Sequence, residues 1–173
     1  MSLTMSELTV PVFVRGLTVL STLLKKGEVH AAQAGLAPQA LLEARLAADM
    51  LPLAAQVQRA SDSAKFAVQR IGGGDAPRFA DDETTFDQLQ TRIAQTIAYL
   101  ESADAAGLDA GGARAISLNW GSTHGEFTGA SYLLTIALPN FYFHVVTAYD
   151  ILRNQGVKVG KLDYLGPFGS QEG

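Results

Sequence analysis

The sequence predicts an all-α fold, a four-helix bundle with a short β-hairpin before its last helix. Three observations carry that reading. Apolar residues recur at helical spacing in four segments, prolines and glycines punctuate those segments, and the period is lost only over residues 104–131. The chain reads as a single domain over residues 1–173, with 47% hydrophobic residues, enough for a core and too many for disorder.

In the first segment Val10, Phe13, Leu17, Leu20 and Leu24 share one helical face. The helix starts between Thr4 and Pro11, a proline being harmless in a first turn where its missing N–H had no partner. The second segment opens at Pro38 and closes at Gly72-Gly73-Gly74. Leu42, Leu46, Leu53, Val57, Ala60 and Ala64 form its buried face, extended by Phe66, Val68 and Ile71. Pro52 falls inside it and predicts a kink, because the ring collides with the carbonyl of Ala48. The third helix carries Phe86, Leu89, Ile93, Ile97 and Leu100, and Thr85 with Gln88 matches a capping box at its start. Residues 115–120 then read as a strand that pairs with residues 126–128 across 121–125. The fourth helix spans residues 130–155, stops at Gly156, and is apolar nearly all round, as suits a central helix or one shared with a partner subunit. The glycine-rich tail from Val157 reads as irregular, packed through Leu162, Tyr164 and Phe168.

Composition narrows the function classes. Charged residues make up 17% of the chain, below the roughly 25% usual in soluble domains, which points to an additional buried surface and hence to a homodimer. A net charge of -4 argues against nucleic acid as partner. With Cys 0 there is no disulfide, thiolate ligand or cysteine nucleophile. Glu7, rather than a basic leader, precedes the first apolar stretch, and the apolar run 132–149 carries Pro139, Asn140 and His144 at its middle. A soluble cytoplasmic domain with no membrane span is expected. Neither a phosphate loop, an H-E-x-x-H nor a G-x-S-x-G occurs, and the glycine run at Gly72 follows a helix rather than a strand.

Polarity on buried stripes is the informative feature. Leu133, Ala137, Asn140, His144, Thr147 and Ile151 share one face of the fourth helix, and Asn140 and His144, four apart, converge on one point. Asp49, three after Leu46 and four before Leu53, falls on the inward stripe of the second helix. Both polar sites lie beside a proline, Pro52 or Pro139, that frees a backbone carbonyl. Imidazole, carboxylate and amide oxygen can ligate a divalent ion with positions left for water. Equally, Asp49 and His144 can form a buried charge-assisted hydrogen bond while Asn140 satisfies a freed carbonyl. His30 reads as solvated and His124 as a loop residue, and Glu126 beside it is a candidate base with no partner visible in the sequence. Trp120, Tyr142 and Tyr149 read as core aromatics, and Asp81-Asp82-Glu83 as negative charge near a helix N-terminus.

The stretch Pro139-Asn140-Phe141-Tyr142-Phe143-His144, continuing through Thr147-Ala148-Tyr149-Asp150-Ile151-Leu152-Arg153 to Gly156, resembles the signature of a bacterial family of unknown function in the DinB/YfiT-like superfamily of metalloenzymes. The segment Gly160-Lys161-Leu162-Asp163-Tyr164-Leu165 and the region from Leu24-Lys25-Lys26 to His30 fit it too. The resemblance implies an up-down-down-up bundle, with residues 72–84 as the long crossover between helices two and three. It implies a divalent metal, nickel or zinc, held by one histidine of helix two and two of helix four. Here His144 matches the second helix-four position, Asn140 stands at the first, and Asp49 is the best match for the helix-two ligand. Some members of the superfamily are thiol-dependent transferases or metal-dependent hydrolases. Two functions follow as alternatives: a non-standard or vestigial metal or small-ligand site, or a non-catalytic homodimeric bundle whose inward polar cluster fixes helix register.

Overall fold

A computed structural model describes residues 3–167. Helix α1 (Met5–Ala34) begins at a reciprocal cap in which Thr4 Oγ1 accepts the Glu7 N–H and the Glu7 carboxylate accepts the Thr4 N–H. Pro11 therefore lies beyond the first turn, on the exposed side, and leaves the Glu7 carbonyl without a helical donor. Gly35, at φ 65°, ends the helix in the left-handed conformation. By length and composition α1 is apolar enough to cross a membrane; here Phe13, Leu17, Leu20, Leu23 and Leu24 are buried in the core.

The second predicted helix is two helices. Helix α2 (Pro38–Leu42) ends after little more than a turn, and α3 (Leu53–Gly72) restarts with Pro52 as its N-cap. Pro52 breaks the helix rather than bending it. Residues 43–52 form turns instead, held where the Leu53 N–H donates to the Ala44 carbonyl at 2.9 Å. Leu46, expected on the buried face, is 41% exposed, and Asp49 is exposed as well.

Helix α4 (Phe86–Glu101) starts at the capping box formed by Thr85 and Gln88. Helix α5 (Ala105–Ala110) and a 3-10 turn (Gly111–Ala113) occupy part of the stretch where the period is lost. Strands β1 (Ala115–Trp120) and β2 (Thr123–Thr128) pair antiparallel, Ala115 opposite Thr128 and Trp120 opposite Thr123. Only two residues turn the hairpin, and Gly121, at φ 59°, takes the first of those places. From Gly129 the chain is helical without a break through α6 (Gly129–Tyr132), a π-turn (Leu133–Ala137) and α7 (Leu138–Asn154). The tail is not wholly irregular: α8 (Lys161–Leu165) docks through Lys26 on Asp163 and the edge of Tyr164 on Tyr149. Leu162, expected to pack, is 69% exposed, and Phe168 lies outside the described residues, as does the Trp120 side chain.

Among the described residues α1, α3, α4 and α7 are the long helices, and side-chain contacts fix their directions. Gln56 meets His144 and Ser63 meets Asn140, so α3 and α7 run antiparallel. Gln58 bonds Glu83 just before α4 and Ser61 bonds Thr96, so α3 and α4 run parallel. A Cβ on Gly16 would come within 2.4 Å of the Phe141 ring, and one on Gly27 within 2.8 Å of Leu152, so α1 lies parallel and close to α7. Parallel neighbours need a long connection, and residues 73–85 supply it.

That crossover is tied down by a buried guanidinium. Arg92 is 1% exposed and donates to Asp81 (2.6 Å), Glu83 (2.9 Å), Asp62 (2.8 Å) and Ser61 (3.1 Å). Lys65, also buried, binds Asp62 and the Pro77 carbonyl, and the Phe79 ring lies 4.4 Å from the Lys65 nitrogen and 4.6 Å from the Arg92 guanidinium carbon. Asp81 and Glu83, expected as negative charge near a helix N-terminus, lie just before α4 and are also partners of this network. Burial alone would raise their pKa values, but hydrogen bonds and attraction from Arg92 outweigh it and hold both below the ordinary carboxylate range. Their contribution is therefore present above about pH 4.5 and is lost as the pH falls through the depressed folded values. Arg92→Met is expected to cost on the order of 3 kcal/mol in urea unfolding at pH 7 and to make the acid limb of stability shallower. A loss below about 1 kcal/mol would show that the crossover holds without the cation.

Candidate functional site

A cavity of about 330 Å³ lies between α3, the α6–α7 helix and β1. On α3 it is lined by Arg59, Asp62, Ser63, Phe66 and Arg70, whose spacing sets them on one face. Opposite stand Tyr132, Ile136, Ala137, Asn140 and His144, with Leu118 and Asn119 of β1 at one side.

The π-turn makes that second row possible. Pro139 has no N–H, and the Leu138 N–H reaches five residues back to the Leu133 carbonyl. In an uninterrupted α-helix Tyr132 and His144 would point about 120° apart; one extra residue in the turn reduces that to about 20°. Tyr132, Asn140 and His144 thereby face the same groove.

The protonation of His144 follows from its partners. Gln56 Nε2 donates to the Leu51 carbonyl (3.0 Å), which leaves Gln56 Oε1 to accept from His144 Nδ1 at 2.7 Å. The proton is thus on Nδ1, and Nε2 carries a lone pair. Nε2 has no partner among the described residues, and no buried side-chain nitrogen or oxygen among them lacks one, so Nε2 is not sealed in the core, and His144 lines the cavity. Burial and then the charge of Arg59 push the His144 pKa down to about 4, against a smaller opposing pull from Asp62. Imidazole stays neutral at physiological pH. Asn140 is fixed by the same logic: Ser63 donates its proton to the Arg59 carbonyl and accepts from Asn140 Nδ2 (2.7 Å), so Asn140 Oδ1 is left as an acceptor.

The sequence-predicted trio separates here. His144 and Asn140 line the cavity, whereas Asp49 sits exposed in the turn before Pro52 and does not line it. Gln56 occupies the place on the second helix that Asp49 was expected to fill. Gln56, Ser63, Arg59 and Arg70 escaped the sequence reading, although as polar residues three to seven apart on one face they carried a signal. His30 lines a separate groove beside Lys25, Lys26 and Lys158. His124 is exposed on the hairpin, bonded to Asn119 and Glu126.

This donor set does not fit a divalent ion. Asp62 is the one carboxylate lining the cavity among the described residues, and Arg92, Lys65 and Arg59 already surround it. Gln56 Oε1 is committed to His144, and no three His, Cys, Asp or Glu side chains converge among the described residues.

Comparison with known proteins places this bundle, with its polar cavity against α7, in the DinB-like class. A crystal structure of a DinB family member protein from Shewanella denitrificans, determined at 1.83 Å, has a TM-score of 0.86 and 39% identity, covering 97% of this chain and 95% of that one. More narrowly, residues 5–165 match a domain of unknown function, DUF1993, and the chain belongs to that family. No curated protein matches it.

The His144 environment has a pH signature. The unfolded imidazole takes a proton near 6.5 and the folded one only near 4, so its contribution is complete above pH 6.5 and is lost as the pH falls toward 4. Urea midpoints of the wild type are expected to drop across this window, and those of His144→Phe to stay flatter until the carboxylates titrate. Parallel curves for the two proteins would contradict the neutral assignment.

Proposed function

We propose that this chain is a small-molecule-binding member of the DinB-like superfamily, with its four long helices in up-down-down-up order and its ligand held in the groove between α3 and α7. The helix order is supported by the pairing directions of α3 with α4 and α7, and of α1 with α4 and α7; the Ser21–Gln90 bond and the nearness of Gly27 to Phe86 make α1 and α4 antiparallel. One observation carries the ligand reading: His144 lines a cavity with an unprotonated Nε2 that has no partner among the described residues, while Gln56 holds its other nitrogen. With a pKa of about 4 this imidazole is a weak base at neutral pH and a good hydrogen-bond acceptor. The reading departs from the metal, nickel or zinc, that the resemblance implies, because the carboxylate beside His144 is already paired with three cations. It retains the cytoplasmic expectation, with the apolar side of α1 absorbed by the bundle.

Nitrogen-15 NMR of the histidine rings tests it. Wild-type Nε2 is expected to keep the chemical shift of an unprotonated nitrogen at neutral pH and to ignore one equivalent of zinc or nickel. Fragments found by ligand-observed NMR should move that resonance. Stoichiometric metal that disappears in His144→Ala would overturn the proposal and restore a metal site.

A second reading, a homodimer, has its own observation. Phe143 and Val146, one turn apart on α7, are 55% and 38% exposed on a helix whose other side fills the core. Light scattering on the eluting protein is expected to give a dimer that Phe143→Glu converts to monomer. A wild-type monomer at about 100 μM would remove this reading, since an obligate interface holds well below that concentration.

A further inference from the structure

We propose that the groove takes an elongated carboxylate whose anionic end sits on Arg70 and whose other end offers a neutral hydrogen-bond donor, a hydroxyl or amide N–H, to His144. This rests on the small-molecule reading above and adds the ligand's class. A tally of donors and acceptors at the two ends carries it.

At one end Arg70 lies across two aromatic faces, its guanidinium carbon 5.3 Å from the Phe66 centroid and 5.6 Å from that of Tyr132. Its Nη1 donates to the Tyr132 hydroxyl at 2.8 Å, and among the described residues it makes no salt bridge. The Tyr132 oxygen, already accepting from Arg70, has its own proton left to give. A guanidinium over two aromatic rings, bonded among the described residues to Tyr132 alone, and a phenol with a proton still to give suit an anion with two acceptor oxygens.

The opposite end has the reverse polarity. His144 Nε2 and Asn140 Oδ1 both accept, because Gln56 and Ser63 have fixed their partners. Arg59 stands beside them and already disfavours a proton on His144, so a neutral donor suits this end better than an ammonium. Between the ends the wall is apolar, formed by Phe66, Ile136 and Leu118. Ser63, level with Asn140, and Arg70 are seven residues apart on α3, about 10 Å along the axis, and His144 follows Asn140 by one turn of α7. An ω-hydroxy carboxylate with roughly six to eight methylenes, at about 1.3 Å each along an extended chain, therefore reaches from Arg70 to the level of Asn140 and offers its hydroxyl to His144 from there, in keeping with the size of the cavity.

The probes are 8-hydroxyoctanoate, 1,8-octanediol and octanoate, titrated into the full chain and followed by the His144 ring nitrogens and by calorimetry. The hydroxy acid is expected to bind at least about tenfold more tightly than the diol, the difference a charge-assisted pair supplies. Arg70→Gln, at an exposed side chain, should bring the hydroxy acid down to the affinity that the same variant shows for the diol. Arg70→Lys should restore only part of the difference. Equal affinity for acid and diol, unchanged in Arg70→Gln, would overturn the carboxylate assignment and leave the groove reading standing. No binding of any of the three, with fragments also failing to move His144 Nε2, would overturn both.

Discussion

The buried guanidinium of Arg92 sets the terms for this bundle. Helices α3 and α4 run side by side in the same direction, an arrangement that gains nothing from a tight turn and exposes a long connection to solvent. Arg92 gives that connection a destination. Its guanidinium gathers a carboxylate from α3 and two from the crossover, and Phe79 closes over it and Lys65. Removing so much charge from water is tolerable because the side-chain partners are complete: Asp62, Asp81 and Glu83 stand against Arg59, Lys65 and Arg92. Arg59 and Asp62 belong to this network and to the wall of the groove at once. The cavity is therefore shaped by the same charges that hold the crossover.

The electrostatics of the groove follow from that sharing. Arg59 is neutralised by Asp62 and Asp81, yet it lies near enough to His144 to oppose a second positive charge. Burial acts in the same direction, and the imidazole is kept as an acceptor. Where the resemblance implies metal ligands, Gln56, Asn140 and His144 form a neutral, directional hydrogen-bonding row.

Much of the fold could be read from the chain, and two of the exceptions turn on prolines. The Thr85–Gln88 box, the buried stripe Leu133–Ala137–His144–Ile151 and the strand at Ala115 are local signals, and the local structure follows them. Pro52 and Pro139 pose the same steric problem, a lost donor and a clash with the carbonyl four residues back. The chain before Pro52 abandons the helix for ten residues, whereas the chain before Pro139 stays helical and widens one turn. The difference lies in what surrounds them. Leu133 and Ala137 are buried against the bundle and keep their segment helical, while Leu46 and Asp49 have no such contacts. Periodicity carried across Pro52 put Asp49 on the inward stripe. Once the helix restarts at Leu53, that stripe belongs to Gln56, Ser63 and Phe66.

The widened turn at residues 133–137 also has a bearing on how such a groove diversifies. It acts as a phase shifter between two otherwise rigid segments: Tyr132 on one side, Asn140 and His144 on the other. Gain or loss of a single residue there would rotate one end of the groove by about 100° against the other while leaving both segments helical. Proteins sharing this bundle could then differ in what they hold through one codon in one helix, with their cores unchanged.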